Sequence, residues 1–325
     1  MHMNGPQNTI KPIGGYMELQ IPKGFSYYPS LIALNTGRNA LEYIIRIKNY
    51  KTIYLPYFTC EVLLEPLHKL NIDYRYYKLD EDLDPIIDFE LDAQSCFLYT
   101  NYFGIKTNTV KRLSESMKNL IIDNAQAFYA APIKNVDTFY SCRKFFGVPD
   151  GSYLYTSHEI ALNLKRDYST SRFSHLIKSI DYGIESAYSN YLKNNEVLCN
   201  SEIKKMSVLT SQLLGAIDYD YCAKIRRNNF NYLHKYLEKT NLLDINFVYD
   251  EVPMVYPLLL ADSTLKEQLI QNKIFVATYW PNVFEWADPD SYEYFLSKNL
   301  IALPIDHRYT LTDMRRILTV LNTLA

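Results

Sequence analysis

The sequence predicts an α/β fold, with a large, mostly parallel β-sheet covered by helices and a smaller C-terminal α+β domain. Two observations support this prediction. Up to about Tyr155, short apolar runs alternate with stretches whose apolar residues recur at helical spacing, as in βαβ units. After Ser157 the alternation ends and mainly helical patterns follow. Strands as apolar as these are typical of parallel sheets that are buried on both faces.

The elements of the first part can be assigned in order along the chain. A turn at Leu34–Gly37 opens into an amphipathic helix that reaches about Ile45. The strands and helices predicted after it are Thr52–Leu55 (strand), Glu61–Leu70 (helix), Asp73–Tyr77 (strand), Cys96–Tyr99 (strand), Thr109–Asn119 (helix), Leu120–Ile122 (strand), Asp137–Tyr140 (strand) and Tyr153–Tyr155 (strand).

The second part is predicted to begin with one long helix. Its predicted elements are this helix at Ser207–Glu238, an extended segment at Pro253–Leu260, a helix at Thr264–Gln271, a second extended segment at Phe275–Tyr279 and a closing helix after Thr310. We therefore divide the chain into a large α/β domain at 1–206, which includes an N-terminal extension, and a small domain at 207–325. The boundary has no Gly/Ser-rich linker, so the two domains are expected to pack together.

Composition excludes several function classes. The 325 residues are 48% apolar and 22% charged, which is ordinary for a globular protein. A formal charge of −2 gives no long-range attraction to nucleic acid. No run approaches the roughly 18 apolar residues of a membrane span, and the first residues do not resemble a signal peptide. Five scattered cysteines and six dispersed histidines predict a reducing, cytoplasmic location and no metal site.

The candidate catalytic residues lie between Leu120 and Ser157. Asp123 closes an apolar strand, which would place its carboxylate at the sheet edge where open α/β folds bind ligands; capping a helix is the alternative role. Lys144 follows Arg143 directly, and a neighbouring cation together with burial would ease the loss of its proton. A solvated surface charge is the alternative for this lysine.

An anion site is predicted at the start of the first helix. Thr36 and Gly37 would present free backbone N–H groups at the positive end of that helix, although a simple N-cap would leave the same pattern. Arg226 and Arg227 lie on the predicted long helix. They would bind an anionic substrate or, as the pattern favours, form part of a solvated helix face.

Several motifs follow one another in a characteristic order. They are Thr36–Leu41, Pro56–Thr59, Asn101–Gly104, Asp123–Gln126, Ser141 with Lys144, Tyr256–Pro257, Tyr279–Pro281 and Leu303–Ile305. Over most of the chain this order resembles the DegT/DnrJ/EryC1/StrS family of fold-type I sugar aminotransferases, which depend on pyridoxal 5'-phosphate. The resemblance implies the same fold and the same cofactor.

The resemblance also implies a role for each site residue. Lys144 corresponds to the lysine that holds the cofactor as a Schiff base, and Asp123 to the acid that keeps the pyridine nitrogen protonated. The other implied cofactor contacts are Gln126 near the phenolic oxygen, Phe58 over the ring, and Gly37, Arg38 and Ser141 around the phosphate. Facing water is the alternative for Arg38.

The chain departs from the family pattern at three places. Only two residues separate Ser141 from Lys144, whereas the family shows S-x-x-x-x-K, so a shorter loop is expected. Pro149–Ser152 stands where the family has G-E-G-G. The G-Y-N-x-R-M segment, which brings an asparagine to the partner subunit's phosphate, is not recognisable before Met206.

The function implied by the resemblance is transfer of an amino group, with glutamate as donor, to a keto group of a nucleotide-linked sugar for a surface polysaccharide. The enzyme would be a homodimer. One alternative keeps the cofactor but has it catalyse a decarboxylation, elimination or retro-aldol cleavage. Another is a non-catalytic relative that binds a sugar nucleotide.

Overall fold

A computed structural model describes residues 13–158, 162–246, 248, 250–261 and 264–324. The first part alternates strands with helices, as predicted. Its elements are β1 (Ile32–Leu34), α1 (Gly37–Lys48), β2 (Thr52–Pro56), α2 (Leu64–Leu70), β3 (Asp73–Tyr77), β4 (Ser95–Thr100), α3 (Thr107–Ser116), β5 (Leu120–Asn124), β6 (Asp137–Tyr140) and β7 (Ser152–Tyr155).

These strands form one seven-stranded sheet in the order β1-β7-β6-β5-β4-β2-β3. The pairs of β2 with β3, β2 with β4, β4 with β5, and β5 with β6 are parallel, while β7 is antiparallel to both β6 and β1. The sheet is therefore mostly parallel, which confirms the predicted fold class. Since β4, β5 and β6 are parallel neighbours, the segments that follow them meet at one edge of the sheet.

The centre of the sheet is buried on both faces, whereas the edge strand β3 is partly exposed. All five residues of β5 are buried, as are all six of β4. One apolar cluster includes Leu41 and Ile44 of α1 packed on Ile53 and Leu98 of the sheet. A second cluster covers other residues of the sheet and continues into the small domain. Residues of the large sheet and residues after 206 thus belong to one apolar cluster.

The chain after β7 is mainly helical and carries one two-stranded sheet. Its elements are α4 (Ser174–Leu198), α5 (Val208–Gly215), α6 (Tyr219–Leu237), β8 (Val255–Leu259), α7 (Leu265–Gln271), α8 (Val283–Trp286), α9 (Tyr292–Asn299), β9 (Leu300–Pro304) and α10 (Leu311–Leu324). Strands β8 and β9 are antiparallel. No helix in the described part is both long and apolar enough to cross a membrane.

Two predicted elements of the small domain differ from the structure. The single helix expected at Ser207–Glu238 is two helices, because Asp218 caps a new helix by accepting a hydrogen bond from the Tyr221 N–H at 2.9 Å. The segment Phe275–Tyr279 forms no strand, since the partner of β8 is β9. Neither change moves the elements that end at the sheet edge.

Arg226 was assigned to a solvated helix face, and the structure contradicts this assignment. Its side chain is 2% exposed, and its guanidinium donates to the backbone oxygens of Met254 at 2.8 Å and Phe145 at 3.3 Å. The helical period alone does not show which face of α6 is covered, because the covering segments come from distant parts of the chain. Arg227 is partly buried and donates to the backbone oxygen of Glu251.

Candidate active site

A cavity of about 490 Å³ lies at the edge of the sheet where β5 and β6 end. Its walls come from the start of α1, the segments after β2, β5 and β6, one side of α4, and Trp280 of the small domain. Asp123, Gln126, Gly37, Arg38, Ser141 and Lys144 all line it. Six of the seven predicted site residues therefore line one cavity, although Gly37 and Lys144 are 107 positions apart in the sequence.

Asp123 is a buried carboxylate at the end of β5. Its side chain is 6% exposed, and its Oδ1 accepts a hydrogen bond from the Ala125 N–H at 2.7 Å. Burial raises its pKa to about 6, and the Ala125 N–H and Lys144 only partly oppose this effect. The chain continues from β5 through turns to β6, so Asp123 does not cap a helix. A cation bound beside this carboxylate would favour its ionised form.

Lys144 supplies an amine to the same cavity. It ends a short 3-10 helix at Cys142–Lys144, and its side chain is exposed within the cavity. Among the described residues its ammonium has no hydrogen-bond or ion-pair partner. Asp123 is the carboxylate that acts on it electrostatically. An amine that no neighbour holds is free to react with a ligand.

The start of α1 forms the polar end of the cavity. Thr36 is the N-cap, and its side-chain oxygen accepts from the Asn39 N–H at 3.1 Å. The predicted N-cap is therefore present, and it leaves the N–H groups of Gly37 and Arg38 without an acceptor inside the helix. The first turn carries no acidic residue, so the positive helix end is available to an anion.

Arg38 lies at this end but is already paired. One of its guanidinium nitrogens lies 2.6 Å from a carboxylate oxygen of Glu65, and the side chains are 10% and 15% exposed. The other Glu65 oxygen accepts from the Asn200 N–H. Arg38 thus contacts α2 rather than water, and Glu65 offsets its charge. It is less suited to an added anion than its position in the sequence suggested.

Arg143 is the cation that the sequence analysis did not assign to the site. It lines the cavity, donates to the side-chain oxygen of Asn195, and lies 5.8 Å from the ring centre of Tyr191. Burial lowers its pKa, and the charges of Arg38 and Arg172 lower it further, while Tyr191 and the Asp150 carboxylate partly oppose this effect. Among the described residues no carboxylate forms an ion pair with it. This guanidinium can therefore accept an anion.

Gln126 and Phe58 lie at different depths. The Gln126 side-chain oxygen accepts from the Phe103 N–H at 2.8 Å, which fixes the amide at the cavity wall. Phe58 is fully buried, with its ring centre 4.8 Å from Trp280 and 5.7 Å from Tyr102. The aromatic residues that line the cavity are Trp280, Phe139 and Tyr191, whereas Phe58 does not line it and packs against Trp280.

The segment after Lys144 is fixed by a buried carboxylate and a glycine. Asp150 is fully buried and is bound by Arg172 and the Thr210 hydroxyl. Gly151 has a φ of +112°, and a Cβ there would lie 2.9 Å from the Thr210 side chain. Glycine is therefore required at 151. The short path from Ser141 to Lys144 depends on this anchor, because the Cys142 N–H donates to the Gly151 oxygen at 3.0 Å.

Among known proteins, only solved structures match this chain, and sequence comparisons find no match. No family model matches the sequence, and no curated protein sequence is significantly similar to it. Solved structures do match. A DegT DnrJ EryC1 StrS aminotransferase from Brucella abortus has a TM-score of 0.62 at 14% identity, over 90% of this chain and 85% of that one.

Two further structures are similar to the same extent. The sugar aminotransferase CalS13 from Micromonospora echinospora has a TM-score of 0.61 at 12% identity, over 91% of this chain and 87% of that one. The putative sugar aminotransferase Spr1654 from Streptococcus pneumoniae, in its PLP form, has a TM-score of 0.62 at 12% identity, over 91% and 88%. The chain therefore has the fold-type I architecture of the DegT/DnrJ/EryC1/StrS sugar aminotransferases, as the order of its motifs predicted.

Proposed function

We propose that this chain is an aminotransferase that depends on pyridoxal phosphate and moves an amino group between an amino acid and a keto sugar. One observation carries the proposal. A buried carboxylate, Asp123, and an amine, Lys144, that has no partner in the described part of the chain line one cavity, with the N-terminus of α1 at its polar end. The similar structures support it, since they are described as sugar aminotransferases, and Spr1654 has both a PLP form and a PMP form.

The residues in the cavity fit this cofactor. Lys144 would hold it covalently through Nζ, and Asp123 would keep the ring nitrogen protonated through a charge-assisted hydrogen bond. The N–H groups of Gly37 and Arg38, with Ser141, lie at the anion-binding end. Trp280 lines the cavity with its ring, and Gln126 contributes its amide. When bound, pyridoxal phosphate supplies a ring that accepts electrons from the substrate carbon as a proton leaves.

Lys144 would have a second role as an acid-base group. Its free amine would move a proton at the reacting carbon of the substrate, as general base and then as general acid. Asp123 must stay ionised while this happens. Its pKa of about 6 in the protein alone falls when a cation is placed beside it, so cofactor binding and ionisation of Asp123 favour each other.

Arg143 is proposed to bind the cofactor phosphate, in place of the family contacts that this chain lacks. We expect Arg143→Gln to weaken the binding of pyridoxal phosphate by roughly 10- to 100-fold, because a hydrogen bond to a charged group contributes about 1.5–3 kcal/mol. Titration followed by cofactor absorbance measures this. Pyridoxal without the phosphate is expected to bind both proteins equally, and the exposed-site variant Arg315→Gln is the matched control. An unchanged affinity of Arg143→Gln for the phosphorylated cofactor would exclude the role.

The homodimer is also part of the proposal. Helix α4 exposes large apolar side chains, among them Ile180 at 83% and Tyr182 at 71%, and contiguous exposed apolar surface marks an interface. Tyr191 and Leu192 of the same helix line the cavity, so a second copy packed on α4 would also cover the site. Sedimentation velocity is expected to show a dimer that Ile180→Asp dissociates. A monomeric native protein at micromolar concentration would contradict this.

The finer substrate assignment rests on the family resemblance. We propose glutamate as the donor, a nucleotide-linked keto sugar as the acceptor, and synthesis of a surface polysaccharide as the setting. A cytoplasmic location is proposed with it, and all five cysteines are free in the structure, which supports a reducing compartment.

Incubation of the cofactor-loaded protein with glutamate alone tests amino-group transfer. Conversion of the bound cofactor to its pyridoxamine form, with release of 2-oxoglutarate, is expected. Decarboxylation, elimination or retro-aldol cleavage of an amino acid without this conversion would favour the alternative reactions. A protein that binds a sugar nucleotide but takes up no cofactor would be a non-catalytic relative.

A further inference from the structure

Residues 13–25 form an arm that the described part of the chain does not cover. Large apolar side chains of this arm are 71–101% exposed, namely those of Ile13, Tyr16, Met17, Leu19 and Phe25. No hydrogen bond or ion pair joins the arm to the described part of the chain. Apolar residues scattered singly on a surface are normal, but several of them in one short exposed segment mark a contact with a further surface.

The arm has the sequence pattern of an extended segment with one apolar side. From Met17 to Ile21 apolar and polar residues alternate strictly, as Met-Glu-Leu-Gln-Ile, which is the period of a half-buried strand. The structure nevertheless has no strand in this segment. The surface that the apolar side matches is therefore not supplied by the described part of the same chain.

The arm leaves the body of the protein at a fixed root. The Tyr28 hydroxyl donates to the backbone oxygen of Phe128 at 2.6 Å. A Cβ at Gly24 would collide with the backbone oxygen of Gly215, so the chain at this point lies directly on the end of α5. Beyond this root, residues 13–25 span up to roughly 40 Å when fully extended. That length is enough to reach across to a neighbouring molecule.

Helix α4 presents a surface that matches the arm. The helix is interrupted at Gly183, where φ is +79°. After this break Ile184, Tyr188 and Tyr191 follow at spacings of four and three, which places them on one side of the helix. These three residues, the α4 stripe, are 42–59% exposed and line a second cavity of about 370 Å³ that Lys144 also lines. Stripe and cavity together form an apolar groove that leads to Lys144.

A single chain leaves both surfaces open, whereas a pair of copies can cover both. In a two-fold dimer the arm of each copy lies on the α4 stripe of the other, so the same contact forms twice. Burial of the exposed apolar side chains removes several hundred Å² of surface from each arm. Two such arms, with the surfaces that they cover, reach the roughly 1,600 Å² that a stable interface buries.

The charges of the arm favour a second copy over a membrane. Segments that lie on membranes carry several Lys and Arg residues, which attract anionic lipids. The arm has one cation, Lys23, and one carboxylate, Glu18, so it lacks this attraction. The second cavity is lined by four cationic side chains and one carboxylate, that of Asp306. Glu18 of an arm in the groove therefore meets an excess of positive charge.

We propose that residues 13–25 are an exchanged arm: in the homodimer, the arm of each copy packs on the α4 stripe of the other and covers the second cavity beside Lys144. The inference rests on the homodimer of the proposed function, and it names the segment that makes the contact. Each site is complete only with the arm of the other copy in place, since a single chain leaves the groove open to water.

Photocrosslinking of the full chain tests the contact directly. A benzophenone amino acid replaces Tyr16, and irradiation is expected to give a species of twice the mass on a denaturing gel. Mass spectrometry of its digest should show position 16 joined to the α4 stripe. The same amino acid in place of Tyr236, which is 53% exposed on α6 and lines neither cavity, is the matched control and should give no such link. Links within one chain, links to a different surface, or no link would overturn the proposal.

Substitutions in the arm test the same contact through affinity. Tyr16→Asp combined with Met17→Asp places two charges in an apolar contact and is expected to weaken dimerisation about tenfold or more in sedimentation velocity. Both side chains are at least 89% exposed in the single chain, so the variant should fold normally. Tyr236→Asp is the matched control and should dimerise like the native protein. An arm variant that dimerises as tightly as the native protein would contradict the contact.

The outcomes separate this inference from the cofactor assignment. A dimer that binds pyridoxal phosphate but gives no link from position 16 to α4 would remove the arm and leave the proposed function in place. A protein that gives this link but never acquires the cofactor would retain the arm, and the proposed function would fail. Co-sedimentation with phosphatidylcholine–phosphatidylglycerol vesicles that the arm variant loses, without a link between chains, would assign the arm to a membrane and overturn the proposal.

Discussion

Replacing Lys144 with alanine is expected to remove the covalently held cofactor and to lower amino-group transfer by roughly 10⁴-fold or more. The expected loss is large because in the proposed function one amine would serve both as the attachment point and as the general acid-base group, and acid-base catalysis alone contributes about 10² to 10⁴. Lys144→Arg keeps the positive charge, but arginine does not lose its proton in proteins, so it should be as inactive. The absorbance of the bound cofactor and the rate of the glutamate reaction measure both effects.

The loss should not come from unfolding. The Lys144 side chain is exposed in the cavity and has no hydrogen-bond partner among the described residues. We therefore expect its replacement to change the free energy of unfolding by no more than about 0.5 kcal/mol. Lys111→Ala, at an exposed position on α3, is the matched control and should retain full activity. A Lys144→Ala protein that transfers amino groups normally would remove this residue from the mechanism.

Asp123→Asn is expected to lower activity and to raise stability. Asparagine keeps the shape of the side chain and the hydrogen bond from the Ala125 N–H, but it cannot hold a positive ring nitrogen by charge. A charge-assisted hydrogen bond contributes about 1.5–3 kcal/mol, so we expect transfer to fall about 10- to 100-fold or more. The rate of the glutamate reaction, measured at saturating cofactor, tests this part.

The stability effect follows from the pKa of Asp123. Burial raises this pKa from 3.8 to about 6 in the protein without cofactor, so the folded state binds the proton more tightly than the unfolded chain does. The free energy of unfolding therefore decreases as the pH rises from about 4 to 6, and the penalty is complete above pH 6. A shift of about two units corresponds to at most about 3 kcal/mol. Asp123→Asn has no such penalty.

Urea unfolding of the cofactor-free proteins measures this difference. At pH 8 Asp123→Asn is expected to be about 1–3 kcal/mol more stable than the native protein, and near pH 4 the two should agree. Asp73→Asn, at an exposed position on β3, is expected to show no pH-dependent gain. An Asp123→Asn variant that is equally stable or less stable at pH 8 would show that burial of the ionised Asp123 carboxylate does not lower the free energy of unfolding. Such a cost at a functional residue is common in enzymes.

The sheet and the chemical pair were predictable because local patterns determine them. Leu120–Asp123 reads as a buried strand that ends in an acid, and parallel strands bring their carboxyl ends to one edge. Lys144 follows in the segment after the next strand. The start of α1 was predictable in the same way, since Thr36 and Gly37 carry the residue types of a helix N-terminus. Each of these assignments needs only a few neighbouring residues.

The rest of the site depends on contacts between distant segments, which periodicity does not encode. Arg38 lies where the resemblance predicts a contact with the cofactor phosphate, but Glu65 of α2 neutralises its charge. Phe58 packs behind Trp280, a residue of the small domain. Arg143 contacts Asn195 and Tyr191, which α4 brings to it from more than 45 positions along the chain. Burial of Arg226 likewise follows from the segments that cover α6.

The most direct test of the cofactor site is to find which residue carries the cofactor. The purified protein is loaded with pyridoxal phosphate and reduced with borohydride, which makes the bond to the protein permanent, and the digest is analysed by mass spectrometry. We predict a single modified peptide with the cofactor on Lys144. Cofactor on a different lysine, or no modified peptide at all, would contradict the site that Asp123 and Lys144 define.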